Sequence, residues 1–155
     1  MKGTVHRVDR KSKAPAPPLV GALLRRPFMA ARAHVVEQLH TAGFTDLLPA
    51  HMAVFQYPGP HGRTPGQIAR AAHASKQAIN NLLAQLERAG YLTRLVNPDN
   101  RRERLIELTP RGQAAIKTIR SAIHQLERRW EADLGETDYL QLRSRLERLN
   151  DLLAD

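Results

Sequence analysis

The chain has 155 residues, a formal net charge of +9, 42% hydrophobic residues and only 5% aromatics. That composition is globular and leaves room for one hydrophobic core. The absence of cysteine excludes disulfides, thiolate zinc sites, iron–sulfur clusters and thiol redox chemistry.

No apolar run approaches the roughly 18 residues of a membrane span, and the N-terminus lacks the apolar stretch of a signal peptide. The expectation is a cytoplasmic protein with no membrane partner. The positive charge is unevenly placed. Residues 1–18 hold five basic and one acidic side chain, and residues 61–111 hold nine and four, whereas residues 112–155 are nearly balanced. A basic block in the middle of a chain suits a polyanionic partner.

Residues 1–18, "MKGTVHRVDRKSKAPAPP", are basic, Pro-rich and poor in apolar side chains, which predicts a disordered arm. From Leu19 to about Ala42 the positions Leu23, Leu24, Phe28, Val35, Val36 and Leu39 mark one helical face. Pro27 inside that run predicts a kink or a handover between two helices, and Gly43 is placed to end it. A shorter helix is expected from Leu48 to Phe55. The stretch "YPGPHGR" then forbids regular structure.

"TPGQIARAAH" opens with Thr64 at the N-cap, Pro65 at N1 and Gln67 at N3, a complete capping box. "SKQAINNLLAQLERAGY" starts a second helix at Ser75. Ile79, Leu82, Leu83 and Leu86 form its apolar stripe, and Lys76, Gln77, Asn80, Asn81 and Ala84 lie opposite. Two short helices joined by a tight turn predict a helix-turn-helix.

"YLTRLV" and "ERLIEL" flank the turn "NPDNRR" and predict a β-hairpin. Thr109-Pro110 restarts helix, and Ile116, Ile119, Ile123, Leu126 and Trp130 follow the 3-4 spacing of a helix packed along another helix. Gly135 breaks it. A last helix is predicted from about Glu136 to Leu153. The fold class is therefore mostly α with a small β-hairpin, an α+β winged helix-turn-helix.

This arrangement predicts sequence-specific binding to double-stranded DNA. Only the major groove distinguishes all four base pairs, and the N-terminal half of a recognition helix reaches it. The amides of Gln77, Asn80 and Asn81 suit adenine, and Lys76 suits guanine or phosphate; the cap residues Thr64 and Ser75 complete the candidates on the two helices. Adjacent asparagines cost helix propensity, so a solvated face explains them poorly. At the hairpin tip Arg101 is placed to enter a minor groove, with Asp99 two residues earlier able to hold its guanidinium. Arg102 and Arg104 are expected at phosphates or on the strand surface.

"LLAQLERAGYLTRLVNPDNRRERLIELTPRG", with its Leu-Glu-x-x-Gly helix end, Asp-x-Arg tip and Leu-Thr-x-x-Gly exit, resembles the MarR family of transcriptional regulators. The resemblance spans about residues 19–155 and is most specific over 82–112. It implies an obligate homodimer, built by helices in 19–45 and 110–155, carrying a winged helix over 46–109. Leu23, Leu24, Ile119, Ile123, Leu126, Leu142, Leu146 and Leu149 are the expected dimer residues. The resemblance also implies a pseudo-palindromic operator, Asp99 and Arg101 as the wing pair, and a small effector, phenolic or aromatic, between the two regions. The function so implied is a regulator, most often a repressor, in a bacterial or archaeal nucleoid. An effector-independent architectural protein and a zinc-responsive regulator are the alternatives. Many members carry Arg where this chain has Asn81, so its operator preference need not follow theirs, and the 57–63 loop is Pro- and Gly-rich for the family.

His34, Glu37 and His40, with His51 and His124 on other helices, are the metal candidates. One helix cannot easily present the first three together, because i and i+6 lie about 120° apart, and the expectation is no metal and no cofactor. Nothing in the chain reads as an enzyme: it has no Gly-rich phosphate loop, serine nucleophile elbow or close carboxylate pair.

Overall fold

A computed structural model describes residues 17–56 and 59–153, so all but the last two residues of the predicted basic arm lie outside the described residues. Helix α1 runs from Val20 to Thr41 without interruption, so Pro27 lies within one helix rather than at a handover between two. The buried residues of α1, Val35 and Leu39, are both in its C-terminal half. Gly43, at φ +91°, turns the chain out of it.

The segment predicted as a helix over Leu48–Phe55 is a 3-10 helix of five residues, Pro49–Ala53. Its start is capped by the buried His51, whose Nδ1 accepts from the Leu48 N–H at 3.1 Å. Gly62 and Arg63, in the stretch read as irregular, form neither helix nor strand. They nonetheless exchange backbone hydrogen bonds with Ile106 at 2.7 and 2.9 Å, which pins the loop against the hairpin.

The capping box of α2 (Pro65–Ala71) closes as the sequence predicts. Thr64 Oγ1 accepts from the Gln67 N–H at 3.3 Å, and Gln67 Oε1 accepts from the Thr64 N–H at 2.8 Å. Helix α3 (Lys76–Arg88) is capped by Ser75, whose Oγ accepts from the Ala78 N–H at 3.1 Å. His73, in the turn between them, has φ +48°, a left-handed conformation that a side chain rarely adopts.

Strands β1 (Leu92–Val96) and β2 (Arg104–Leu108) pair antiparallel, with Leu92 opposite Leu108 and Arg94 opposite Ile106. Helices α4 (Pro110–Leu134) and α5 (Glu136–Leu152) complete the chain. The core joins Leu39, Leu47, Ile68, Ile79, Leu83, Leu86, Tyr91, Leu92, Ile106, Ala115 and Ala122. It is therefore centred on the helix-turn-helix, the hairpin and the first turns of α4. Among the described residues five α-helices, the 3-10 helix and two strands form a winged helix with long flanking helices.

At the outer end the helices are bare. Leu23, Leu24, Phe28 and Met29 of α1 and Leu140, Leu142, Leu149 and Leu152 of α5 are each at least 40% exposed, and α5 has no buried residue. The α4 seam behaves differently from its expected role as dimer core: Ile116, Ile119 and Ile123 pack against the chain's own core. Helix α1 lies along α4 and takes up that seam. Leu126 and Leu146 are half-buried.

Candidate nucleic-acid interface

Ile79, Leu83 and Leu86 are completely buried, which turns the opposite face of α3, with Lys76, Gln77 and Asn81, outward. None of these three side chains makes a hydrogen bond or ion pair among the described residues. They present a cation and two amides on the N-terminal half of one helix. Thr64 and Ser75 spend their oxygen lone pairs on their own helix caps, which leaves each hydroxyl hydrogen free to donate.

Asn80 departs from its expected role as a base reader. It is half-buried, and Arg94 of β1 reaches it twice, donating from Nη1 to Asn80 Oδ1 and from Nη2 to the Asn80 backbone oxygen, both at 3.3 Å. Arg94 Nε also lies 3.1 Å from Glu87 Oε2, close enough for an ion pair, although the N–H is not aligned on that oxygen as a hydrogen bond. Asn80 and Glu87 thus hold the hairpin against α3. Sequence reading passed over Arg94. The available signal was a lone arginine at the inward register position opposite the buried Ile106.

The hairpin tip is ordered by its asparagines. Asn97 Oδ1 accepts from the Asp99 N–H at 3.0 Å and Asn100 Oδ1 from the Arg102 N–H at 3.1 Å, two side-chain turns in succession. Arg104 folds back and donates to the Arg101 and Glu103 carbonyls at 3.1 and 3.2 Å. It braces the tip instead of standing free for phosphate. Asp99, Arg101 and Arg102 are exposed, and the expected Asp99–Arg101 pair is not formed. Both side chains stand in water, where such a pair gains little. The result is two arginines, unpaired among the described residues, on a stiffened turn beside the open face of α3.

The metal candidates are not brought together. His51 uses both ring nitrogens, Nδ1 on the Leu48 N–H and Nε2 as donor to Gln85 Oε1 at 3.0 Å. His40 Nε2 donates to the Leu47 carbonyl at 2.9 Å, and His124 sits 3.4 Å from Glu127. His34 and Glu37 remain on α1, and among the described residues no group of three possible ligands converges.

Two cavities flank this unit. A cleft of about 360 Å³ lies between the 59–61 segment, the end of β2 and the start of α4, lined by Gly59, His61, Leu108, Ile116, Lys117 and Arg120, among others. An apolar groove on the outer helices is lined by Leu24, Phe28, Ala31, Trp130 and Leu146. No helix among the described residues is long and apolar enough to cross a membrane.

Comparison with known proteins agrees with this architecture. The family model described as MarR family matches residues 45–103, the stretch that holds the helix-turn-helix and most of the hairpin. The HTH-type transcriptional repressor Rv2887 of Mycobacterium tuberculosis is 28% identical over 130 residues, covering 84% of this chain and 92% of that protein. The crystal structure of MarR superposes with a TM-score of 0.71 at 25% identity, covering 88% of this chain and 98% of that one. The crystal structure of an S. aureus MepR–DNA complex shares the fold, with a TM-score of 0.66 at 20% identity over 87% of this chain and 98% of that one. Motif, fold and relatives all liken the chain to the MarR family of transcriptional regulators.

Proposed function

We propose that this regulator is a repressor that binds a pseudo-palindromic operator as a homodimer and is released by a small-molecule effector. One observation carries the reading. Lys76, Gln77 and Asn81 are exposed and unpaired on the N-terminal half of α3, next to a tip that offers Arg101 and Arg102. Amides on a helix that fits a major groove read base edges, and arginines on an adjacent hairpin neutralise phosphate or enter the minor groove. The S. aureus MepR structure supports the partner by analogy, because that protein was solved bound to DNA.

Dimerisation is supported by the bare apolar ends of α1 and α5. Leu23, Leu24 and Phe28 of α1 and Leu142 and Leu149 of α5 are exposed, and an apolar groove joins Leu24 and Phe28 to Trp130 and Leu146, more than single scattered leucines explain. A second copy covers it best, since a two-fold dimer presents the same patch twice. The 19–45 and 110–155 segments are then the dimerisation region and 46–109 the DNA-binding region. An effector has room in the cleft beside α4, whose walls belong to both regions.

Selection from a random duplex pool tests the reading. Enrichment of an inverted repeat with half-sites about one helical turn apart, bound by a species of twice the chain mass in sedimentation, is the expected result. Enrichment of no sequence, or of a single half-site bound by a monomer, would overturn it.

A further inference from the structure

The three carbonyls that follow the end of α3 are each taken by a donor from the start of α4. Arg111 Nη1 donates to the Ala89 oxygen, Thr109 Oγ1 to the Gly90 oxygen at 2.6 Å, and the Thr109 N–H to the Tyr91 oxygen at 3.2 Å. The first is the C-cap carbonyl of α3, which a helix end normally leaves to water, and the other two belong to the turn into β1. Thr109 Oγ1 also accepts from the Gly112 N–H at 3.1 Å, so one hydroxyl caps α4 and clasps the end of α3. Gly112 makes the approach possible, because a Cβ there would lie 1.9 Å from the Tyr91 oxygen.

A second grip is on the far side of the same guanidinium. Arg111 Nη2 donates to both oxygens of Asp46 at 3.1 and 3.0 Å, and its carbon lies 4.3 Å from the centre of the Tyr91 ring. The buried Tyr91 donates its hydroxyl to the same carboxylate at 2.5 Å. One side chain therefore meets the end of α3, the start of β1 and the loop after α1.

We infer that residues 109–112 are a rigid joint that fixes α3 to the first turns of α4, with Arg111 as the positioning residue that sets the angle between them. The joint is a geometric property of the chain; its consequence for DNA rests on the function proposed above. The carbonyl bonds tie the start of α4 to the end of α3, and Asp46 and the Tyr91 ring hold the same guanidinium in place, so the two helices move as one body. An effector in the neighbouring cleft then displaces α3 by tilting α4 with it, and the spacing of the two reading helices depends on Arg111, which touches no base.

The chain has no cysteine, so spin labels can be placed at will. Ala78→Cys and Asp133→Cys mark the exposed far ends of α3 and α4, and dilution with excess unlabelled chain leaves only distances within one chain. Pulsed electron–electron resonance is then compared between the parent and Arg111→Lys, whose ammonium keeps the charge but cannot span the Ala89 carbonyl and both Asp46 oxygens. The expected result is an unchanged helical circular-dichroism spectrum and a clearly broader distance distribution. In the unlabelled protein, affinity for the selected operator falls about tenfold if about a tenth of molecules hold the right angle. Sensitivity to one added base pair between the half-sites falls as well. An unchanged distribution overturns the joint, whatever the DNA result. Should Arg111→Lys not fold, Asp46→Asn is measured against the same two outcomes. If the parent selects no duplex, the DNA reading fails, while the distance measurement still decides the joint.

Discussion

Arg94 and Asn80 are joined twice across the groove between hairpin and helix, through the side-chain and the backbone oxygen of the asparagine. A residue held in this way positions the reading surface and has little left with which to read. Asn81, one position on, is exposed and uncommitted. Asn81→Ala should therefore cost about 1–3 kcal/mol on the selected operator, the range of one good base contact, and much less on random duplex. Asn80→Ala should weaken both DNAs by similar factors. A double-mutant cycle of Asn80→Ala with Arg94→Ala should show coupling of about 0.5–3 kcal/mol in urea unfolding, and additive losses would show that the contact contributes nothing.

The caps were legible because their signals are local. Thr64 and Gln67, Ser75, and Thr109 before Pro110 each declare a helix start within four residues, and in the structure each threonine or serine caps its helix. What failed to show in the sequence depends on distance or on direction. Arg94 meets Asn80 across 14 positions and Arg111 meets Asp46 across 65, and no periodicity reports such pairs. The 3-4 spacing of Ile116, Ile119 and Ile123 announced a buried seam, yet periodicity cannot say whether the same chain or a second copy fills it. The 3-10 helix at Pro49–Ala53 is too short to carry a helical period at all.

Arg101 and Arg102 form no ion pair at the hairpin tip among the described residues, so their contribution should be electrostatic and salt-dependent. Arg101→Ala should weaken operator binding and lower the slope of log affinity against log salt by about 1, because one phosphate is no longer neutralised. Arg104→Ala should act differently. It removes the brace on the Arg101 and Glu103 carbonyls and should leave that slope nearly unchanged. Titrations at four salt concentrations separate the two.

Gly112→Ala puts a methyl group where the Tyr91 carbonyl oxygen lies. Backbone must move to admit it, so the loss should reach the upper end of overpacking costs, about 3 kcal/mol, or a fall of about 6–12 °C in Tm for a chain of this size. A melt within two degrees of the parent would contradict the close approach.

His73→Gly should act in the opposite direction. The turn between α2 and α3 holds this exposed residue at φ +48°, and relief of left-handed strain of about 1–2 kcal/mol exceeds glycine's entropic penalty of about 0.5–1 kcal/mol. A small gain in the urea midpoint is expected.

The joint also predicts a pH window for stability. At Asp46 burial works to raise the carboxyl, but the Tyr91 hydroxyl and the Arg111 guanidinium outweigh it and hold the group below its ordinary value of 3.8. A depressed folded value stabilises the fold above the unfolded value and loses that contribution as pH falls through the folded one. Burial and the neighbouring Asp46 push the Tyr91 phenol up to about 12 from 10.0, so its contribution is whole below pH 10 and is lost as pH rises through about 12. Urea midpoints of the parent and Asp46→Asn should draw together as pH falls below 3.8 and through the lower folded value, while Tyr91→Phe should lack the alkaline loss attributable to this phenol.

The central claim is that α3 and the hairpin read a DNA sequence. Fluorescence anisotropy tests it most directly, with the protein titrated against a labelled duplex from upstream of its own gene and a scrambled duplex beside it, each at two salt concentrations. A sequence reader binds the first duplex tighter by about 10³-fold or more, the lower range of specific over nonspecific recognition, and keeps that preference at the higher salt. Weak binding, equal on both duplexes and abolished as salt rises, with no other sequence recovered by selection, would leave only charge attraction and contradict it.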